Sequence, residues 1–205
     1  PRTLLIGVLH ALTPALDDAR RRVADGGDPS REESRGIQGP GYVGREDWRA
    51  EFSVDAFTFL WERELERRGT TKPELVVRYP YLAGGRPEML PGVAELERLA
   101  EGAALVATAD PFHHGIGYGD APGAALPADA RGIALARRSI EHGVAILANG
   151  DHAAYNRHCV DAKSDARDVG QVVRHLTGPV TGVVHELVTA DMTEAYGAEP
   201  PTWVA

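Results

Sequence analysis

A chain of 205 residues, 43% hydrophobic and 25% charged, has the composition of an ordinary globular protein and is long enough for one domain with a substantial core. The net charge of -8 and the lack of a basic run argue against a nucleic-acid partner. The single cysteine, Cys159, excludes an internal disulfide. There is no signal-peptide pattern and no apolar run of about 18 residues, so the sequence predicts a cytoplasmic protein that does not span a membrane.

The first half of the chain alternates apolar runs with amphipathic segments. Residues 3–9 form a short continuous apolar run, typical of a strand covered on both faces. The predicted elements are a strand at 3–9, a helix at 14–24, a loop at 25–47, a helix at 54–68 and a strand at 74–82. The long loop is rich in glycine, proline and charge, which leaves it open as either a disordered segment or a lid over an active site.

The helix predicted at 54–68 has clear signals at both ends. Ser53 is placed to cap it and Gly69 to end it. Its apolar side chains recur at helical spacing and predict a core-facing stripe, formed by Phe57, Leu60, Trp61 and Leu65.

The second half continues the alternation of strands and helices. The predicted elements are a helix at 91–101, a strand at 103–108, helices at 127–143, 151–158 and 168–176, and a strand at 180–188. This order predicts an α/β fold: a single domain over residues 1–205, with a central, mainly parallel sheet and helices on both faces.

The segment after the strand at 103–108 is the strongest candidate site. The apolar run ends in Asp110, and His113 and His114 follow before a glycine-rich stretch. In α/β proteins, residues at the carboxyl ends of parallel strands form ligand sites, and imidazole with carboxylate can bind a metal or transfer a proton. We therefore predict catalytic roles for Asp110, His113 and His114.

Two further residues are candidate metal ligands. His10 follows the first predicted strand and so lies at the same edge of the predicted sheet. Glu186 lies in the last predicted strand next to His185, and alternation along a strand directs only one of those two side chains to a given face. His10 with a second imidazole and Glu186 gives two histidines and one carboxylate, a set that suits non-haem Fe(II).

The chain resembles the class III extradiol dioxygenases and MEMO-type proteins, which share the LigB-like fold. The similar stretch runs from Val76 to about Leu176 and contains Tyr79-Pro-Tyr-Leu-Ala-Gly84 and Ala107-Thr-Ala-Asp-Pro-Phe-His-His-Gly115. The resemblance places Asp110 on the family's acid and His113 on its site histidine, and it makes His10 the histidine that ends the N-terminal strand and binds metal.

What the resemblance implies is an Fe(II)-dependent oxidoreductase that opens the ring of a catecholic or aminophenolic small molecule. In that mechanism His113 is the general acid/base and Asp110 holds its tautomer. A homodimer or a partner subunit is left open.

The chain departs from the family because no histidine lies between residues 11 and 112, where the family has a second metal ligand. Two alternatives therefore stay open. One is a metal-assisted hydrolase or lyase, and the other is a non-catalytic subunit or metal-binding relative.

Overall fold

The computed structural model describes residues 2–10, 13–40 and 51–205, and within these ranges the chain forms seven α-helices and seven strands. The helices are α1 (Pro14–Ala24), α2 (Phe52–Arg68), α3 (Val93–Ala100), α4 (Ala130–Ala148), α5 (His152–Asp161), α6 (Ala166–Thr177) and α7 (Thr193–Tyr196). The strands are β1 (Arg2–Ile6), β2 (Gly36–Gln38), β3 (Glu74–Tyr81), β4 (Ala104–Ala107), β5 (His113–Gly115), β6 (Ala190–Asp191) and β7 (Thr202–Val204).

The fold is α/β, as the alternation of elements predicts, and the chain divides into two compact units. The first unit comprises Pro1–Ala109 with Asp168–Gly178, and the second comprises Asp110–Arg167 with Pro179–Ala205. The organisation of residues 1–205 as one single domain remains a prediction.

The first unit is built on a four-stranded sheet in the order β2-β3-β1-β4. β1 pairs in parallel with both β3 and β4, whereas β2 is antiparallel to β3. The sheet is therefore mixed but mostly parallel. The strand predicted at 3–9 is shorter than expected and ends at Ile6.

Successive residues of β1 supply two apolar layers, one on each face of this sheet. Leu4 and Ile6 pack in one cluster with Leu96 of α3 and Val172 of α6. Leu5 packs in the other, with residues of α1 and α2. Because side chains alternate along a strand, a continuous apolar run fills both layers, and the sheet carries helices on both faces.

Local signals determine where α1 begins and ends. The Thr13 hydroxyl accepts a hydrogen bond from the Leu16 N–H, Pro14 occupies the first turn, and the predicted bounds 14–24 are confirmed. In α2 the end at Gly69 is also confirmed, with φ of 62° in the left-handed region.

The start and the core face of α2 differ from the prediction. The helix begins at Phe52, so Ser53 lies inside its first turn and is not the cap. Leu60, predicted to face the core, is 66% exposed, while Val54 is buried in its place. Helical spacing identifies an apolar stripe but does not fix which part of it meets the sheet.

The segment predicted as a long loop at 25–47 is partly regular structure. Pro29–Arg31 form a short 3-10 helix. Farther along, β2 pairs with β3, and its Ile37 is buried in the core cluster that contains Leu4. Residues 41–47 of the predicted lid lie outside the described residues.

The second unit is organised around a three-stranded antiparallel sheet in the order β5-β7-β6. Its core is small and contains Phe112, Ala136 of α4 and Trp203 of β7. Asp151 caps α5 through a hydrogen bond from the Ala154 N–H to its carboxylate, so the helix predicted at 151–158 begins where expected. None of the helices in the described ranges has the length and apolar character needed to cross a membrane.

The strand predicted at 180–188 is wrong. Residues 180–189 show neither a turn nor a bend, and they pair with no strand in the described part of the chain. Val183 and Val188 are 73% and 69% exposed. A β-branched apolar run favours extended backbone, but a strand also needs a neighbour to bond, and that requirement is not visible in the run itself.

Candidate metal centre

β5 sets the orientation of the two adjacent histidines. The sequence predicts His113 and His114 at the tip of the strand at 103–108, before a glycine-rich loop, but the structure places them in a separate strand that pairs with β7. His113 lies opposite Val204 and His114 opposite Trp203. Because neighbouring strand residues project to opposite faces, the two imidazoles have different surroundings.

The imidazole of His113 is held by a backbone carbonyl and an aromatic ring. Its Nδ1 lies 2.6 Å from the carbonyl oxygen of Lys163, which can only accept, so Nδ1 carries a proton, and in the neutral ring the lone pair is on Nε2. The ring also stacks on Tyr118, with centroids 4.6 Å apart and planes 6° from parallel. Burial and the Tyr196 hydroxyl raise the pKa of Tyr118, so its phenol stays protonated at neutral pH.

Two carboxylates face Nε2 of His113. One Oδ2 belongs to Asp110, 3.8 Å away, and the other to Asp165, 4.0 Å away. The side chain of Asp165 is 13% exposed, whereas that of Asp110 is 54% exposed. The second oxygen of Asp165 accepts the backbone N–H of Asp110 at 2.7 Å, which fixes one carboxylate relative to the backbone that carries the other.

The geometry of these three side chains fits a shared cation. One ligand atom from each of Asp110, His113 and Asp165 lies within 4.8 Å of the other two. The separations from Nε2 are too long for hydrogen bonds. Two ligands bound at about 2.1 Å to one ion lie ~3–4 Å apart, so small movements would bring all three into range. A metal-binding histidine ordinarily donates its other ring N–H to a carbonyl or carboxylate, as His113 does here.

His114 differs because the protein occupies both of its ring nitrogens. Nδ1 lies 2.9 Å from Asp120, and Nε2 accepts the Leu126 N–H at 2.9 Å. Burial lowers the pKa of His114, which favours the neutral ring. The geometry gives His114 a structural role in the second unit, and its predicted catalytic role remains a prediction.

Asp120, the acid beside His114, has a cationic partner and a backbone donor. Asp120 accepts the Gly115 N–H at 2.7 Å and pairs with the ammonium group of Lys163. Burial acts to raise the pKa of Asp120, but Lys163 and Gly115 outweigh it and hold the pKa below its ordinary value. Asp120 is therefore ionised and fully bonded at neutral pH.

His10 lies in the first unit and has its own carboxylate partner. The ring Nδ1 is 2.8 Å from Glu51, whose other oxygen accepts the His10 backbone N–H, and Phe52 lies 4.8 Å from the ring. Glu51 is buried. Nothing in the sequence distinguishes Glu51 from an ordinary acid at the start of a helix, because it directly precedes α2.

The predicted ligand set therefore comes from separate parts of the chain. His10 belongs to the first unit, and Glu186 is an exposed residue of segment 180–189, which forms neither helix nor strand, in the second. Joint binding of one metal by His10 and Glu186 remains a prediction.

The residues that complete the centre around His113 are Asp165 and Lys163. Both lie in the short connection between α5 and α6, and Asp165 is 55 residues from Asp110 in sequence. The only sequence signal for them is that they are polar residues between two helices, a pattern more typical of a cap or a turn.

Comparison of the chain with protein-family models, with curated proteins and with solved structures finds no match. The fold and the site alone therefore define the class: an α/β protein with a candidate metal centre of one imidazole and two carboxylates.

Proposed function

We propose that this protein is a divalent-metal-dependent enzyme whose metal is held by Asp110, His113 and Asp165. The observation that carries the proposal is the hydrogen bond from His113 Nδ1 to the Lys163 carbonyl. It leaves the lone pair of Nε2 facing two carboxylates, at distances that suit a shared ion and not a hydrogen bond.

Charge supports a cation at this position. The centre contains two acidic side chains and one imidazole, and the positive charge of a divalent ion would offset the negative charge of carboxylate ligands. Asp165 and His113 form the shielded side of the centre, and the half-exposed Asp110 forms the side that meets solvent. A bound ion would keep positions there for water or substrate, as catalytic sites require.

The first candidate reaction is the one that the sequence resemblance implies. It is an Fe(II)-dependent oxidoreductase acting on a catecholic or aminophenolic small molecule, in a cytoplasmic protein with one LigB-like domain. In that reaction the iron supplies binding of substrate and oxygen. The side chains near it orient the substrate and move protons, and Tyr118 forms an aromatic wall beside His113.

The second candidate is a metal-assisted hydrolase or lyase, and the donor set favours it. The structure brings together one imidazole and two carboxylates, whereas the common Fe(II) oxygenase set has two histidines and one carboxylate. Oxygen-rich donors suit Mn²⁺ and Mg²⁺, and with one imidazole also Zn²⁺. The metal would act as a Lewis acid toward the substrate and would lower the pKa of a bound water that attacks it.

Calorimetric titration with Mn²⁺, Fe²⁺ and Zn²⁺, with iron handled without oxygen, tests the centre. We expect one site per chain, and we expect His113→Ala and Asp165→Asn each to weaken binding by at least about 10- to 100-fold. His175→Ala is the matched control, because His175 forms a surface pair with Glu97. Equal binding by wild type and both site variants would refute the centre.

The two reactions are separated by loading the protein with each metal. Oxygen uptake with catechol or 2-aminophenol by the iron form supports the oxidoreductase. Turnover of ester or amide substrates by the zinc or manganese form, without oxygen uptake, supports the hydrolase. Metal binding without turnover in either screen would support a non-catalytic metal-binding protein.

A further inference from the structure

We infer that Lys163 is a positioning residue that fixes the tautomer of His113 through its main-chain carbonyl and is itself anchored through its ammonium group. The effect of Lys163 on metal binding rests on the proposed function, whereas its effect on the tautomer of His113 can be tested without any metal.

The backbone of Lys163 is in an unusual conformation. Its φ is 54°, in the left-handed region that glycine ordinarily occupies. The residue ends α5 in a Schellman motif: the Ser164 N–H bonds the Cys159 carbonyl at 2.8 Å, and the Lys163 N–H bonds the Val160 carbonyl at 3.1 Å. This motif favours glycine, yet the chain has here one of its only two lysines.

The left-handed turn has a specific consequence for the site. It directs the Lys163 carbonyl to Nδ1 of His113 at 2.6 Å, while the preceding carbonyl, that of Ala162, accepts the His113 backbone N–H at 3.3 Å. Two successive carbonyls after α5 therefore hold the main chain and the ring of His113. The protonated nitrogen of a histidine is set by the partner of the other nitrogen, so this contact determines that Nε2 is the lone-pair atom.

The side chain of Lys163 explains why the position is not glycine. Its ammonium group pairs with Asp120, which also binds the Gly115 N–H and His114 Nδ1. Gly115 and His114 belong to β5, the strand that carries His113. Glycine would adopt the turn with less strain but would leave it without this link to the strand.

Replacements at Lys163 separate the turn from the anchor. Lys163→Val disfavours the left-handed conformation and removes the ammonium group, whereas Lys163→Gly keeps the conformation and removes only the anchor. Lys72→Val is the matched control, because the other lysine pairs with Glu62 in an exposed position.

The direct readout is the ring ¹⁵N NMR spectrum of His113 in the metal-free protein. We expect the Nδ1–H form in wild type, in the Lys72→Val control and in Lys163→Gly, and mixed tautomers in Lys163→Val. The tautomer is a property that a merely structural role for Lys163 would leave unchanged. An Nε2–H form in wild type would overturn the inference without any variant, and so would a wild-type spectrum for a folded Lys163→Val.

Metal titration of the same proteins then tests the link to the proposed centre. We expect Lys163→Val to weaken binding about 10- to 100-fold, as loss of a ligand's supporting contact does. We expect Lys163→Gly to weaken it about threefold, the effect of losing roughly one net hydrogen bond. A tautomer that depends on Lys163 in a protein that binds no metal would support the positioning role and refute the metal centre.

Discussion

The two faces of β5 place the same chemical group in opposite situations. On one face His113 presents Nε2 to Asp110 and Asp165 at 3.8 and 4.0 Å. On the other, His114 has both ring nitrogens within 2.9 Å of protein partners. Two neighbouring residues of one type therefore differ in what they can still bind.

The difference lies in what Lys163 contributes to each face. Lys163 neutralises Asp120 on the His114 face through an ion pair. On the His113 face the same residue contributes a carbonyl, which fixes the ring without adding positive charge. The His114 face is thereby a connected network of bonded polar groups, while on the His113 face Nε2 lies opposite Asp110 and Asp165. We therefore expect substitutions on the His114 face mainly to lower stability and substitutions on the His113 face mainly to weaken metal binding.

The largest loss of stability should come from the aromatic support of the His114 face. Trp203 is 2% exposed, its indole N–H bonds the Leu126 carbonyl at 2.8 Å, and its ring lies 5.5 Å from that of His114. We expect Trp203→Ala to lower the free energy of unfolding by about 3–5 kcal/mol, measured by urea unfolding followed by circular dichroism. Trp203→Phe should lower the free energy of unfolding by less than Trp203→Ala does. Equal losses in the two variants would show that the volume of the ring does not stabilise this face.

Replacement of His114 should have the next largest effect. His114→Ala removes the bond to Asp120 and leaves the Leu126 N–H without its acceptor, which we expect to cost about 2–3 kcal/mol of unfolding free energy. Metal affinity, measured under conditions where the variant is folded, should change far less than in His113→Ala. Loss of metal binding by a folded His114→Ala would contradict the separation of the two faces.

Replacement of His113 should give the reverse pattern. His113→Ala removes one hydrogen bond and the stack on Tyr118, at an expected cost of about 1–2 kcal/mol, and it should weaken metal binding by about 10- to 100-fold or more. Urea unfolding and calorimetry on the same preparation measure both effects. A cost equal to that of His114→Ala would indicate that His113, too, is mainly structural.

The pH dependence of stability should report on the His114 face and have the smallest effect. Burial lowers the pKa of His114 below 6.5 in the folded state, so the unfolded chain binds more protons near that pH. Stability is then fully present above pH 6.5 and falls as the pH decreases below it. His158, whose pKa burial and His142 also lower, contributes in the same direction.

Unfolding curves at pH 7 and pH 5.5 test this dependence. The loss of stability between these pH values should be smaller in His114→Gln than in wild type, with His158→Gln as the comparison. If His114→Gln loses as much stability between pH 7 and pH 5.5 as wild type does, the pH dependence comes from other groups.

The sequence predicts best those elements whose signals are local. The bounds of α1 follow from Thr13 and Pro14, and the end of α2 follows from Gly69. The strand at 180–188 fails for the opposite reason, because its residues favour extended backbone but the partner that would make it a strand is not encoded in the run. The buried face of α2 likewise depends on how the helix packs on the sheet.

For the site, the sequence by itself determined the two residues that are close in the chain, Asp110 and His113, because a strand end with an acid and an imidazole is a recognisable pattern. It could not distinguish His113 from His114, since that depends on which face of β5 each occupies. Only the tertiary structure brought in Asp165 and Lys163, which reach His113 through the turn between α5 and α6. Sequence patterns are local, whereas the side-chain contacts of His113 come from distant parts of the chain, and only the fold brings them together.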